Sequence, residues 1–212
     1  MSPADETAGN LDGLALDYAA LYQDGLAAIQ QRLIPSRVEH SVSVAKTAAH
    51  LAALYGVDAD QARIAGLLHD WDKDLPTSEL LAIAARHGIA VPQSPEKTLH
   101  AQTGAYSVGE RFGQLPPAVL QAIARHTLAA AGMFGLDMVI YIADLIEPLR
   151  DKGDFSQLRA AVGQVSLPDL FMQCLRASLE YLLSRQRHIE PESLSAWNSI
   201  IMVLSDQALE DK

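Results

Sequence analysis

Helical periodicity runs through almost the whole of this chain, with helix starts and stops written between the apolar stripes, and this constrains its fold more than any other feature. Strand signals are nearly absent. Residues 14–33 carry Leu14, Leu21, Leu26, Ile29 and Leu33 and lead through Pro35 to Ser36-Arg-Val-Glu39. That pattern is a capping box, in which the hydroxyl and the carboxylate satisfy the first amides of a helix reciprocally. The helix so opened runs to about Tyr55, where Gly56 stops it. Val38, Val42, Ala45, Ala49 and Ala52 line one face, and Val44, Leu51 and Leu54 a second, so this helix is expected at the centre of the fold. Asp58 with Gln61 opens the helix that arrives at His69-Asp70, and Pro76-Thr77 opens one that ends at His87-Gly88. Further helices are predicted at about 98–112, 116–128, 137–147, 168–186 and 191–209. The expected fold is all-α, with about eight or nine helices.

A length of 212 residues suits one domain of ordinary size. Residues 1–12 are polar and acidic and read as a mobile N-terminal tail, and residues 13–212 as a single domain. Asp151 to Gly153 read as a connection between helices, because the apolar pattern soon resumes. Apolar residues at 49% against 20% charged support a sizeable buried core. The net charge of −10 opposes attraction to nucleic acid or anionic lipid, so an anionic substrate needs a local positive site. No apolar run approaches the roughly 18 residues of a membrane span, and no secretory signal stands at the start, so neither a membrane nor a nucleic acid partner is expected. The single cysteine, Cys174, excludes an intrachain disulfide framework and a thiolate zinc cage, and fits a reducing cytoplasm. Any metal must therefore be held by histidine and carboxylate. Homo-oligomerisation is left open.

Of the seven histidines, His40, His69, His100 and His126 sit on apolar helix faces where a solvated side chain is out of place. His69 is in register with Ala62, Ala65 and Gly66, small residues that let a neighbouring helix approach closely. Asp144 lies inside the run MVIYIADLI and Asp70 at the end of LLHD, where an unpaired charge costs several kcal/mol. A pair of divalent cations held by these four imidazoles and two carboxylates resolves every one of these burial problems together. His50, His87 and His188 have local explanations, His87 in a last helical turn and His188 in the basic RQRH segment, and are set aside.

The order His40, His69-Asp70, Asp144 resembles the H…HD…D signature of the HD-domain metal-dependent phosphohydrolases, and His100 and His126 resemble those of its two-metal members. RVEHSVSVAKTAAHLAALYG, AGLLHDWDK, LHAQTGAYSVGERFG, AIARHT, MVIYIADLIEPLR and HIEPESLSAWN are similar in wording, order and spacing to the YqeK family of symmetrical diadenosine tetraphosphate hydrolases, over about residues 20 to 200. Two positions depart from that family: Ala129, where glycine usually follows the HT motif, and Asp72, where a small or apolar residue is commoner.

The resemblance implies an HD-type helical bundle, hydrolysis of diadenosine tetraphosphate to two ADP, and iron as the metal. It also implies that His40, His69, Asp70 and Asp144 bind one ion while His100, His126 and a bridging Asp70 bind the second, with Asp70 central to catalysis. Ligand chemistry alone leaves manganese, cobalt and nickel open beside iron, as divalent or mixed-valence pairs. A two-metal site lowers the pKa of a bound water and clamps both oxygens of an in-line phosphoryl displacement. Lys73, one turn past Asp70, is the candidate catalytic and phosphate-binding ammonium; Arg37, Arg150 and Thr127 are further phosphate-binding candidates, with surface pairing or local helix bonding as the alternative for each. Tyr106, Phe134 and Tyr141 are aromatics that would stack on adenine or pack in the core. Two other functions fit these residues: an HD-type hydrolase of another phosphorylated nucleotide, such as a nucleoside monophosphate or an alarmone, and a non-catalytic helical module that binds a ligand or partner.

Overall fold

The computed structural model describes residues 16–150 and 153–210, so the N-terminal tail and most of the Asp151–Gly153 connection lie outside the described residues. The described residues form ten helices: α1 Tyr18–Arg32, α2 Pro35–Tyr55, α3 Ala59–Leu68, α4 Thr77–His87, α5 Pro95–Phe112, α6 Pro117–Arg125, α7 Leu136–Ile146, α8 Ser156–Ala161, α9 Leu167–Ser184 and α10 Pro191–Glu210. The helix beyond the expected eight or nine is α8, six residues long and without a buried side chain. It carries no core-facing stripe for periodicity to reveal.

Two further differences lie at helix ends. α2 starts at Pro35, with Ile34 as an extended N-cap and no side-chain cap, so Ser36 stands inside the first turn and the capping box does not form. Proline at the first helical position already has the required φ, and the Ile34 amide donates instead to Asp74 Oδ2 at 2.9 Å. α6 stops at Arg125 rather than near 128, because Ala129 takes φ 59 and its amide closes onto the Arg125 carbonyl at 2.9 Å. Asp58 caps α3 as expected, accepting from the amides of Asp60 and Gln61, both at 3.0 Å.

α7 lies at the centre, with Leu136 to Ala143 all buried, and it packs against α2, α3, α6 and α9. α3 lies along α2, with the Gly66 backbone pressed onto Ala45. α5 joins α6, and α10 covers α9. The ends of α3 and α6, the second turns of α2 and α5, and the last turn of α7 thereby face one another. No helix among the described residues is long and apolar enough to cross a membrane.

Ala129 sits buried in the left-handed region, where a β-carbon already meets the neighbouring carbonyl and a branched one meets more. Ala129→Val is expected to lower stability by about 2 kcal/mol, while Ala129→Gly is accepted without loss. Urea midpoints of the two variants check this; equal midpoints would remove the strain assignment.

Candidate functional site

Each of the six expected ligands is brought to one place. His40 comes from α2, His69 and Asp70 from the end of α3, His100 from α5, His126 from the end of α6 and Asp144 from α7. Their donor atoms fall into three groups in which all members lie within 4.8 Å of one another: His40, His69 and Asp70; His69, His126 and Asp144; Asp70, His100 and His126. Asp70 divides its oxygens between them. Oδ2 lies 3.6 Å from His69 Nε2, while Oδ1 lies 3.2 Å from His100 Nε2 and 3.6 Å from His126 Nε2.

The local chain sets the tautomers. His69 Nδ1 donates to the Gly66 carbonyl at 2.8 Å and His126 Nδ1 to the Ile123 carbonyl at 2.7 Å, each one turn back. A carbonyl only accepts, so both protons reside on Nδ1 and both Nε2 atoms present lone pairs to the centre. His69 Nε2 is buried there without a hydrogen-bond partner. An orphaned buried acceptor among carboxylates and imidazoles is the donor arrangement a cation completes, and the residues fit a divalent metal.

Electrostatics agree with that chemistry. Burial pushes His69 and His100 down to about 4, which leaves both imidazoles neutral near pH 7. Burial also opposes a charged His40, but Asp144, Asp70 and Glu147 outweigh it and raise its pKa. Burial works against the Asp70 and Asp144 carboxylates as well. His69, His100, His126 and Lys73 nevertheless hold Asp70 well below its usual range, and Arg150 with His40, His69 and His126 does the same for Asp144. Both carboxylates are therefore ionised at neutral pH beside neutral His69 and His100.

The expected phosphate-binding residues reach the site by different routes. Lys73 Nζ stands 3.1 Å from His100 Nε2 and 3.9 Å from Asp70 Oδ1. Arg37 pairs through Nε with Asp74 at 2.6 Å and reaches Asp70 Oδ2 through Nη1 at 3.4 Å. Arg150 Nη1 is committed to Asp144, 2.7 Å from Oδ1 and 2.8 Å from its carbonyl. The Thr127 hydroxyl lies 3.0 Å from His126 Nε2, so it meets the imidazole rather than its own helix backbone.

Glu147 escaped the sequence reading. It is buried at the C-cap of α7, takes His40 Nδ1 at 3.1 Å and accepts from the Leu149 amide at 2.7 Å. A carboxylate behind a ligating imidazole fixes the ring and raises its basicity. Its only signal is the IEP stretch just past Asp144, where periodicity has ended. Asp72, one of the two departures, is buried against Arg32 and accepts from Ser107 Oγ at 2.9 Å, so it ties α1 and α5 to the turn that carries Asp70. Glu190 Oε1 accepts from the amides of Gln93 and Ser94 at 2.9 and 3.3 Å, and Ser193 Oγ donates to the Leu128 carbonyl at 2.8 Å. These bonds lock the start of α10 to the helices that present His100 and His126.

Of the histidines set aside, His50 is exposed, and His87 stacks on Tyr106 with ring centroids 4.6 Å apart. His188 differs: it is half exposed but stands on the wall of the cleft. Tyr141 reaches the cleft lining but is 6% exposed and edge-on to Phe171, leaving no free face for a base, while Phe134 and Tyr106 lie off the cleft. That cleft opens directly onto the centre and has a volume of about 1490 Å³, above the roughly 300–1,000 Å³ of ordinary ligand pockets. Arg37, Lys73, Lys97 and Arg150 line it, giving the acidic chain the local positive groups that an anionic ligand requires.

Residues 37–151 match the family model of the HD domain. The chain is 31% identical over 182 residues to the symmetrical bis(5'-nucleosyl)-tetraphosphatase of Bacillus subtilis, covering 84% of this chain and 97% of that protein. It is 30% identical over 180 residues to the enzyme of the same name from Halalkalibacterium halodurans, covering 84% and 95%. Among solved structures, it is similar to a predicted HD superfamily hydrolase involved in NAD metabolism from Clostridium acetobutylicum, with a TM-score of 0.78, 28% identity, and coverage of 85% of this chain and 97% of the other.

Proposed function

This chain belongs to the HD domain family and, within it, to the symmetrical bis(5'-nucleosyl)-tetraphosphatases, and from that premise we propose that it hydrolyses diadenosine tetraphosphate to two ADP. The observation that carries the reading is the set of overlapping donor groups, two of which share Asp70, opening onto a cleft of about 1490 Å³. His40, His69, Asp144 and Asp70 would hold one metal ion, and His100, His126 and Asp70 the other; iron is the metal that the family resemblance implies. When bound, the ions supply Lewis acidity and a water of lowered pKa.

The chain's own residues account for the rest of the chemistry. Asp70 offers one oxygen to each ligand group, so a single carboxylate sets their spacing. Burial lowers the pKa of Lys73, and its ammonium stands beside Asp70 and His100, placed to neutralise a phosphate at the centre. Arg37 adds a second cation on the α2 side. Arg150 first balances Asp144 and through it keeps that ligand in position. With the cations gathered at the centre, the tetraphosphate would be held about its midpoint, and attack of water on one inner phosphorus with cleavage of its bond to the central bridging oxygen gives two ADP, the second leaving with that oxygen.

Metal-loaded protein incubated with a panel of diadenosine tetraphosphate, nucleoside monophosphates and an alarmone is expected to yield ADP as the sole product from the dinucleotide. In oxygen-18 water the label should appear only in ADP. AMP plus ATP would contradict the symmetrical register. Turnover of another nucleotide in preference, or of none, would move the assignment to a different HD-type hydrolase or to a binding module.

A further inference from the structure

The wall of the cleft carries an aromatic and cationic cluster that the metal centre does not use. α9 ends at Ser184, and Gln186 then takes φ 50, a conformation that a residue with a β-carbon rarely adopts. Its amide donates to the Leu183 carbonyl at 3.0 Å and the Arg187 amide to the Leu182 carbonyl at 2.9 Å, so the chain folds back along the helix it has just left. The result places the guanidinium carbons of Arg185 and Arg187 5.8 and 5.6 Å from the centre of the Tyr181 ring. Tyr181 is 50% exposed, and both Tyr181 and Arg187 face the cleft. The left-handed turn at Gln186 thus brings the arginines back over the ring while the ring stays half uncovered, although its apolar face would gain from burial.

A large flat aromatic face beside a guanidinium plane is the chemistry that holds a nucleobase without reading its edges. Holding a base between the two planes needs about 7 Å, twice the ~3.5 Å contact distance, and the exposed Arg187 has only to swing outward slightly from its present 5.6 Å. We propose that Tyr181 and Arg187 form a base subsite, in which the phenol ring stacks one purine of the dinucleotide and the guanidinium closes over its other face. The proposal rests on the reading of the cleft as a dinucleotide site. It also supplies the stacking aromatic that Tyr106, Phe134 and Tyr141 do not provide.

The test compares ADP with inorganic pyrophosphate by calorimetry on the metal-loaded wild type, Tyr181→Ala and Tyr181→Phe, with thermal melting as the check on folding. ADP is expected to bind the wild type more tightly than pyrophosphate. Tyr181→Ala should weaken ADP about tenfold and leave pyrophosphate within twofold, while Tyr181→Phe retains the ADP affinity. In turnover of diadenosine tetraphosphate, Tyr181→Ala should raise KM more than it lowers kcat. Unchanged ADP affinity in Tyr181→Ala, equal losses for ADP and pyrophosphate, or a wild type that does not prefer ADP would each overturn the subsite. If the wild type binds ADP through Tyr181 but leaves diadenosine tetraphosphate intact, the subsite stands and the proposed reaction falls.

Discussion

Replacing Asp70 by alanine is expected to empty the metal centre and lower turnover by at least about 10³-fold, roughly 4 kcal/mol on the barrier. The size follows from geometry. Asp70 contributes to two of the three donor groups, and among the described residues no other carboxylate faces both His69 and His100 across them. Removing it leaves the lone pairs of His69, His100 and His126 converging on a site with one carboxylate, Asp144, in place of two. Asp70→Asn is the companion variant, since it preserves volume and one acceptor oxygen but discards the charge that draws in a cation. Elemental analysis of both variants, alongside circular dichroism to establish folding, decides the matter. A folded Asp70→Ala protein with undiminished metal would sink the ligand assignment.

The side chains that the sequence singles out converge in space where a polar group interrupts an apolar periodicity. His40, His69, His100, His126, Asp70 and Asp144 stood out because each lies on a helix face that otherwise faces the core, and all six meet in space. Glu147 and Glu190 did not, because each sits at a helix boundary where no periodicity exists to violate. Arg150 stands in the sequence as a phosphate-binding candidate with ion pairing as the alternative, and its first partner in the fold is Asp144. Sequence distance does not tell which of two nearby anions a guanidinium will choose. Asp72 looked like an anomaly because its partner, Arg32, lies forty residues earlier in the chain. Short α8 was missed because it buries no stripe, and the start of α2 because Ser36 to Glu39 offers a capping box that competes with the proline start at Pro35.

Gly66→Ala is expected to be the most damaging change of a single methyl in the fold. A β-carbon built on Gly66 would stand 2.9 Å from the Ala45 Cα, 3.1 Å from its nitrogen and 3.1 Å from the Val44 carbonyl oxygen. All three obstacles are backbone, so no side chain can turn aside and α2 and α3 must separate. Overpacking in a closed core costs about 1–3 kcal/mol, and a clash of helix on helix lies at or above the top of that range, outweighing the fraction of a kcal/mol that alanine adds in helix propensity. The same contact sets the metal centre, because α2 carries His40 and α3 carries His69, whose rings stand 5.2 Å apart, and because the Gly66 carbonyl is what holds the His69 tautomer. The variant should therefore show both a stability lowered by about 3 kcal/mol, read from urea unfolding, and a weakened affinity for metal in whatever fraction remains folded. An apo protein as stable as the parent would mean that the two helices yield more easily than their packing implies. Ordinary metal affinity in a destabilised variant would instead separate the helix contact from the centre it appoints.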